Sequence, residues 1–571
     1  MFEHRNESRD ASEEKQKDDG DELPVTPSDS SSETPERDQE QTEEDDDHVY
    51  PSGVQVFIVV GALALTGFLT ALDRTILSTA IPKITDEFNA LGDTGWFSAA
   101  YLLTSCVLIL FFGRIYTFYS PKIVFIVSLL IFEIGSAICG ASQNSATFII
   151  GRAISGIGSA GVTDGNIVLL QYTVPLRQRP ACNAAFGMTF GVASILGPFL
   201  GGVFTSNVSW RWCFYINLPI GGAALAAIFF LVKPTPIKSK ETSLRRQALL
   251  LDPAGTVFSV ASLTCLIIAF QWGGTTYAWS DGRIIALLVV FGVLWIAFVL
   301  VQVFFQKTSS IPARIIKNRD VLAAIWFAFS HGCGLFTMIL YIPMYFQVIK
   351  DASAIKSGIM TFPMVIALVI GIISGGILTG QIGYYVPFAY ICCVFTSIGC
   401  GLIGTWDPDT THPAWIGYQV LIGLGYGWGF QVGIIAPQAA LPREDVATGT
   451  ALAQFARLLG GTIFTTLGQN LLTTHLASHL PALIPGLTRQ QVSDLGATEL
   501  RTLVSPNELP EALSIYNDGL RLPFYASAGI SASMIFATVA FRWLSVKDPE
   551  RQGGVTEKEK KAREESKQEA A

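Results

Sequence analysis

From residue 54 onward the sequence returns fourteen times to apolar runs of about 20 residues, the length a helix needs to cross a bilayer. These runs lie near 54–80, 95–112, 122–141, 146–172, 182–205 and 212–232. They continue at 253–271 and 284–305, and then at 321–345, 358–379, 384–405, 414–437, 447–471 and 521–544. A chain with this pattern has lipid as its main solvent, where helices satisfy every backbone polar group internally. The expected fold class is an all-α integral membrane protein with 14 transmembrane helices. Composition agrees: 50% of the 571 residues are hydrophobic and only 15% are charged, against about 25% charged in soluble globular proteins. A soluble enzyme is excluded, as are collagen-like and wholly disordered chains.

The net charge of −8 conceals a division. Residues 1–48 hold 19 acidic and 5 basic side chains, and the remainder is net positive by 6. The first 48 residues carry almost no large apolar side chain, so they cannot offset chain entropy by burial and read as a disordered acidic tail. No basic, short apolar leader precedes the first span, which is too long for a signal segment. With both ends on one side, the short loops on that side hold fourteen Lys and Arg and the opposite loops hold five. The positive-inside bias therefore makes both termini cytoplasmic. It also makes 475–518 an outer loop.

Several chemistries find no support. No G-x-x-x-x-G-K-[ST] loop is present, so ATP hydrolysis of the P-loop kind is not expected. Gly156-Ile-Gly158-Ser-Ala-Gly161 matches a dinucleotide pattern but lies within a span, where such glycines let helices approach closely. Nine cysteines show neither metal-ligand nor disulfide spacing and read as small packing residues. Asn207-Val208-Ser209 is a glycosylation sequon on a short outer loop. No cofactor, no metal, no nucleic-acid partner and no enzymatic activity are expected; the expected partners are the bilayer, protons and a small molecule. The chain is expected to be monomeric.

Ionisable residues inside spans are costly and therefore carry functional expectations. They are Asp73, Arg74, Glu133, Arg152, Asp164, His331 and Arg457. At 1.5 Å per residue, Asp73, Arg74, Glu133 and Arg152 all fall roughly 10–17 Å below the outer surface, a depth at which they can form one neutralised cluster. Asp164 lies about 18 Å further along its helix than Arg152 and belongs to the inner half. An arginine beside a carboxylate lowers its proton affinity, and separating the two restores it. Asp73 with Arg152 is thus the leading proton-coupling pair, with Glu133 and Asp164 as further candidates. Gly197-Pro198-x-x-Gly201-Gly202, with Gly156 on the fourth span, places small residues for tight helix contact around a proline that can serve as a hinge. Tyr101, Asn166, Gln171, His331, Gln347, Gln431 and Arg457 are the candidate lining of a mainly apolar cavity. Little surplus of Arg or Lys is seen for a strongly anionic cargo.

These residues carry a resemblance. Leu72-Asp73-Arg74-Thr75-Ile76 and its continuation to Pro82 resemble the first-span motif of the major facilitator superfamily, in particular its fourteen-span drug:proton antiporter family of fungal toxin and multidrug exporters. Gly151-Arg152-Ala-Ile-Ser-Gly156-Ile-Gly158 is similar to the fourth-span motif, whose arginine is tied to proton coupling. Gly197-Pro198-x-x-Gly201-Gly202 resembles the fifth-span motif that tracks export. Trp210-Arg211-Trp212 through Gly221 is similar to the entry to the sixth span, and Phe455-Ala-Arg457-Leu-Leu-Gly460-Gly461 to a thirteenth-span pattern. The loop Gly113-Arg114 to Lys122 lacks the aspartate usual in the superfamily.

The resemblance implies an N-terminal six-helix bundle over 49–232 and a C-terminal one over 321–544, around a central cavity. Basic loops over 233–320 would flank two inserted helices at about 253–305, and 545–571 would be a charged cytoplasmic tail. It implies proton-driven efflux of amphiphilic organic molecules by alternating access, at the plasma membrane or the vacuolar membrane. The competing expectations are a narrow proton-coupled carrier of siderophores or basic amino acids, and a non-transporting metabolite sensor.

Overall fold

The computed structural model describes residues 54–88, 94–175, 177–232, 251–274, 277–305, 309, 311–352, 354–483, 504–505 and 507–547. The expected tail at 1–48, the loop at 233–250 and nearly all of 545–571 lie outside the described residues. The elements are helical: α1 Val54–Phe88, α2 Thr94–Phe118, α3 Pro121–Ala141, α4 Ser145–Thr173, α5 Arg179–Asn207, α6 Trp212–Tyr215 and α7 Asn217–Leu231. They continue as α8 Pro253–Trp272, α9 Gly282–Phe304, α10 Ala313–Ile316, α11 Arg319–Val348, α12 Ala354–Met360, α13 Phe362–Ile382, α14 Val386–Ile403, α15 His412–Gly429, α16 Val432–Ala440, α17 Arg443–His479 and α18 Leu509–Ala540.

Local chemistry sets many of the starts. Proline occupies the first turn of α3, α5, α8, α13, α14, α15 and α18, where its missing N–H costs nothing. Asn144 accepts from the Thr147 amide at 2.8 Å to cap α4, and Asp252 accepts from the Gly255 amide at 2.8 Å to cap α8. Such caps satisfy donors that a helix start leaves open.

Among the described residues, 12 helical segments are long and apolar enough to cross a membrane, with α6–α7 and α15–α16 each counted as one. Two of the fourteen expected runs are not among these segments. The runs at 182–205 and 447–471 do form helices, α5 and α17, of 29 and 37 residues, but they are not among the twelve. α17 is the more polar of the two, and it packs against α2, where a polar side chain escapes lipid; α5 packs against α13. Several hydroxyls of α17 are also satisfied within the helix: Thr450, Thr462, Thr465 and Thr466 donate to carbonyls one turn back at 2.6–2.9 Å.

The helices sort into two groups with their own cores. Leu63, Phe125, Leu129 and Phe132 anchor one core among α1–α4, and Ile76, Phe97, Phe148 and Phe214 anchor a second in the same group. Tyr341, Phe346, Trp406 and Phe524 centre the largest core of the other group, α11–α18. The groups meet along α5–α13 and α2–α17. The pair α8–α9 packs upon itself and against α2 and α17, and α9 leaves Val289, Val293, Ile296 and Val303 more than half exposed, as a lipid-facing helix should.

The glycine run of α4 is a packing device. A Cβ at Gly158 would stand 2.3 Å from the Phe132 amide nitrogen, and one at Gly156 2.5 Å from the Tyr101 carbonyl oxygen. Both helix crossings require glycine there, and no strand precedes the run. Gly197 is equally pressed, 2.1 Å from the Thr75 hydroxyl, whereas Gly202 faces open space. α5 continues helically through Pro198 and Gly201.

Candidate functional site

Where α1, α4 and α5 face α11, α16 and α17, a cavity of about 150 Å³ opens at the meeting of the two helix groups. Thr70 and Arg74 from α1, Thr163 and Asn166 from α4, and Asn183 from α5 supply polar atoms on one side. Gln454 and Arg457 from α17 supply them on the other. Phe186, Phe190, Phe336, Phe430 and Ile434 make up much of the apolar wall.

Behind this wall, in the first group, lies a sealed ion pair. Arg152 Nη1 donates to Asp73 Oδ2 at 2.5 Å, with the two side chains 1% and 0% exposed. Arg152 Nε donates to the Phe97 carbonyl at 2.9 Å, and the guanidinium lies 4.5 Å from the Tyr101 ring centroid. Asn217 Nδ2 reaches Asp73 Oδ1 at 3.4 Å and Ser136 Oγ at 3.2 Å. A buried pair of this kind costs several kcal/mol in desolvation, which close geometry and added hydrogen bonds must offset. Removing one partner leaves the other as an uncompensated charge.

The four-charge cluster expected from helix depth does not form. Arg74 turns from the pair toward Ser105 and Ser159, at 3.4 Å from each hydroxyl. Adjacent helical positions point about 100° apart, which separates Arg74 from Asp73 despite their equal depth. Glu133 is also outside the pair: it packs against Gly221, and among the described residues neither carboxylate oxygen has a hydrogen-bond partner. Asp164 is 3% exposed and its Oδ2 has no partner among the described residues. It lies beside the α2–α17 crossing, where Gly113 approaches Ala451.

Of the expected cavity residues, Asn166 and Arg457 line the space. Asn166 Oδ1 accepts from Thr66 at 2.9 Å. The others sit elsewhere because burial in a bundle is not the same as facing its centre. Tyr101 is a wall behind the cavity, its hydroxyl on the Thr70 carbonyl at 3.3 Å. Gln171 is buried with Nε2 unpartnered among the described residues. His331 Nε2 engages the Tyr426 carbonyl at 2.9 Å and its ring stacks near Phe327. Gln347 donates to Ser357 at 3.2 Å, and Gln431 is buried beside the cavity-lining Phe430. Asn207 ends α5 in an exposed position.

Sequence reasoning missed Asn183, Gln454 and Asn217. Each is an amide inside an apolar run, a signal of the same kind as Asn166, and Gln454 lies one helical turn before Arg457 on the same face. The reading of little surplus positive charge is also corrected. Among the described residues no Asp or Glu lines the cavity, while Arg74 and Arg457 do, since the carboxylates that balance the count are turned away. The nine cysteines are all free thiols. Outside the apolar stretch of α1, Glu87 accepts from Arg211 and from Trp210, each at 2.7 Å. Those hydrogen bonds hold its carboxyl below the ordinary glutamate value.

Comparison with known proteins places this architecture. The family model of the Major Facilitator Superfamily matches residues 63–465. An "MFS-type efflux pump MFS1" of Arthroderma benhamiae is 46% identical over 497 residues, which cover 87% of this chain and 93% of that protein. An "Efflux pump aflT" of Aspergillus parasiticus is 43% identical, over 87% of this chain and 97% of its own length. A "Rubrofusarin-specific efflux pump aurT" of Gibberella zeae is 42% identical over 88% and 92%. Among solved structures, the human organic anion transporter MFSD10 aligns with a TM-score of 0.55 at 13% identity, over 85% of this chain and 100% of that one. The proton:xylose symporter XylE aligns with a TM-score of 0.54 at 12% identity, over 86% and 98%; at such identities the likeness is one of fold. With its helical fold, its first- and fourth-span motifs joined in one buried ion pair, and relatives matched over most of their length, the chain is an integral membrane member of the major facilitator superfamily.

Proposed function

We propose that this protein exports amphiphilic small organic molecules, such as toxins, secondary metabolites and drugs, in exchange for protons. The single observation that carries the reading is the arrangement at the centre: a cavity between two helix groups, backed by a buried Asp73–Arg152 pair whose carboxylate can change protonation when the pair separates. Rocking of the groups about α5–α13 and α2–α17 would expose the cavity to either side in turn. Relatives bearing efflux-pump names at 42–46% identity support the direction of transport.

In this reading α5 and α17 cross the membrane with the twelve apolar segments, giving six helices, the inserted pair α8–α9 and six more. Both termini are cytoplasmic, the plasma membrane is the site of action, the protein works as a monomer, and the proton gradient replaces any cofactor. Asp73 with Arg152 takes the coupling role, with Glu133 and Asp164 as further proton sites.

The test is cellular retention of fluorescent amphiphiles and mycotoxins in cells expressing the wild type, Asp73→Asn or no transporter, each with and without a protonophore. The reading expects low retention in wild-type cells only, abolished by the protonophore. Equal retention everywhere would remove it. A second reading, a carrier of one narrow class, draws support from the several fixed polar groups in a small cavity; it expects one compound class to move and the rest of the panel to stay.

A further inference from the structure

The cavity's charge is unbalanced. Among the described residues its lining holds two guanidinium groups and no carboxylate. Arg457, 5% exposed, donates through Nη2 to the Phe430 carbonyl at 2.8 Å and lies 4.4 Å from that ring's centroid. Its Nε has no hydrogen-bond partner among the described residues. Arg74 makes two long contacts to Ser105 and Ser159 and lies 5.2 Å from the Tyr101 ring centroid, and its Nε is also without a hydrogen-bond partner among the described residues. Asn183 from α5, 1% exposed, has no hydrogen-bond partner among the described residues for either amide atom in the same space.

The chain pairs a buried arginine where it wants one neutralised, as Arg152 with Asp73 shows. A carbonyl and a ring face stabilise a guanidinium in part, but neither supplies negative charge, and an uncompensated ion away from bulk water costs several kcal/mol. Arginine's fixed fork of donors matches a carboxylate or another flat oxyanion.

We propose that the cargo is an amphiphilic organic anion, a carboxylate or ionised phenol, whose charged group is held by Arg74 from one helix group and Arg457 from the other. Its apolar body lies against Phe186, Phe190 and Phe336. A cationic amphiphile meets like charges here, and a neutral one leaves both arginines unpaired. Because the two arginines come from opposite groups, the bound anion also bridges the elements that must move. This rests on the exporter reading and narrows its substrate class.

The test uses the full chain in lipid nanodiscs, titrated with pyrenebutyrate, pyrenebutyramide and pyrenebutylamine and followed by tryptophan quenching, with sodium chloride as a competitor. Pyrenebutyrate should bind about tenfold or more tighter than the amide, as charge-assisted hydrogen bonds imply, with the amine weakest. In the double variant Arg74→Gln, Arg457→Gln the butyrate-to-amide ratio should fall toward one, and the double Lys variant should keep most of it. Wild-type protein that binds amide or amine as tightly as butyrate overturns the proposal without reference to any variant. So does a site that takes chloride but none of the pyrene compounds. Flux of the same three probes from vesicles separates the two readings. Butyrate that binds but does not move contradicts the exporter reading alone, whereas equal export of all three contradicts the anion proposal alone.

Discussion

Asp73, Glu133 and Asp164 are buried along helices before residue 233, while the six apolar runs between 321 and 544 contain no Asp or Glu. The buried acids of the second group, Asp320 and Asp445, sit in the first turns of α11 and α17, paired with Arg542 and Arg314. The second group brings instead Arg457, whose charge is permanent at any working pH. A carboxylate can gain and lose a proton in the physiological range when its surroundings change, and a guanidinium cannot. The difference teaches a division of labour: the first helix group holds the carboxylates that lie along the apolar runs, and the second contributes a fixed positive charge to the cavity. Arg74, on the first group but turned to the cavity, is where the two tasks meet.

The largest effect that can break this comparison comes from the sealed pair. Asp73→Asn strands Arg152 at 1% exposure, and removing one partner of a buried pair costs about 3–5 kcal/mol. Melting of the purified protein should drop sharply, and proton-driven export should vanish. Adding Arg152→Gln should restore the melting temperature but not the export. Proton-driven flux surviving in the single variant would place coupling elsewhere.

A smaller effect is expected at Glu133. A Cβ at Gly221 would stand 1.7 Å from its Oε1, so Gly221→Ala must displace the carboxylate, at about 1–3 kcal/mol for overpacking. Adding Glu133→Ala should recover much of that loss, which melting curves of the two variants can check. No recovery would mean that α7 meets α3 through other contacts.

His331 sharpens the comparison from the other side. Its Nε2 is held by a carbonyl and its ring is stacked, so it is not needed as a proton carrier. His331→Gln should change export by no more than about tenfold, the size expected when a single neutral hydrogen bond of about 0.5–1.5 kcal/mol is altered, and should leave the pH profile in place. A moved profile would give the second group a titrating role.

The smallest effect belongs to the half-exposed Glu87–Arg211 pair, 46% and 29% exposed. A carboxyl held below its ordinary value stabilises the fold above the unfolded value, and that contribution is lost as pH falls through the folded one. Glu87→Gln should therefore lower stability by under about 1 kcal/mol near neutral pH, given solvent screening, and the difference should vanish in acid. A difference that persists in acid would show that the charge is not its source.

The sequence made the helices legible because apolar length is a direct demand of the bilayer, and it made the Asp73–Arg152 pair legible because unneutralised charge in lipid is costly. Depth along a helix was also readable, but rotation about the axis was not. Asp73 and Arg74 share a depth and face different neighbours, so counting charges at one level suggested a neutral cluster and hid the positive cavity. Gln347 and His331 are polar residues within or near spans whose partners are a hydroxyl, a carbonyl and packed rings rather than the cavity, and Gln171 is buried away from the cavity lining. Helix α17 is polar for a spanning helix because it faces protein, and the same polarity lets it deliver Gln454 and Arg457 to the site, while α5 delivers Asn183.

The division of labour is tested most directly by comparing two transport modes in proteoliposomes, export driven by an imposed proton gradient and gradient-free exchange of labelled for unlabelled pyrenebutyrate. The paired variant Asp73→Asn, Arg152→Gln should lose the first and keep the second, whereas Arg457→Gln should lose both for pyrenebutyrate. Gradient-driven export persisting in the paired variant, or exchange of pyrenebutyrate undiminished in Arg457→Gln, would contradict the account.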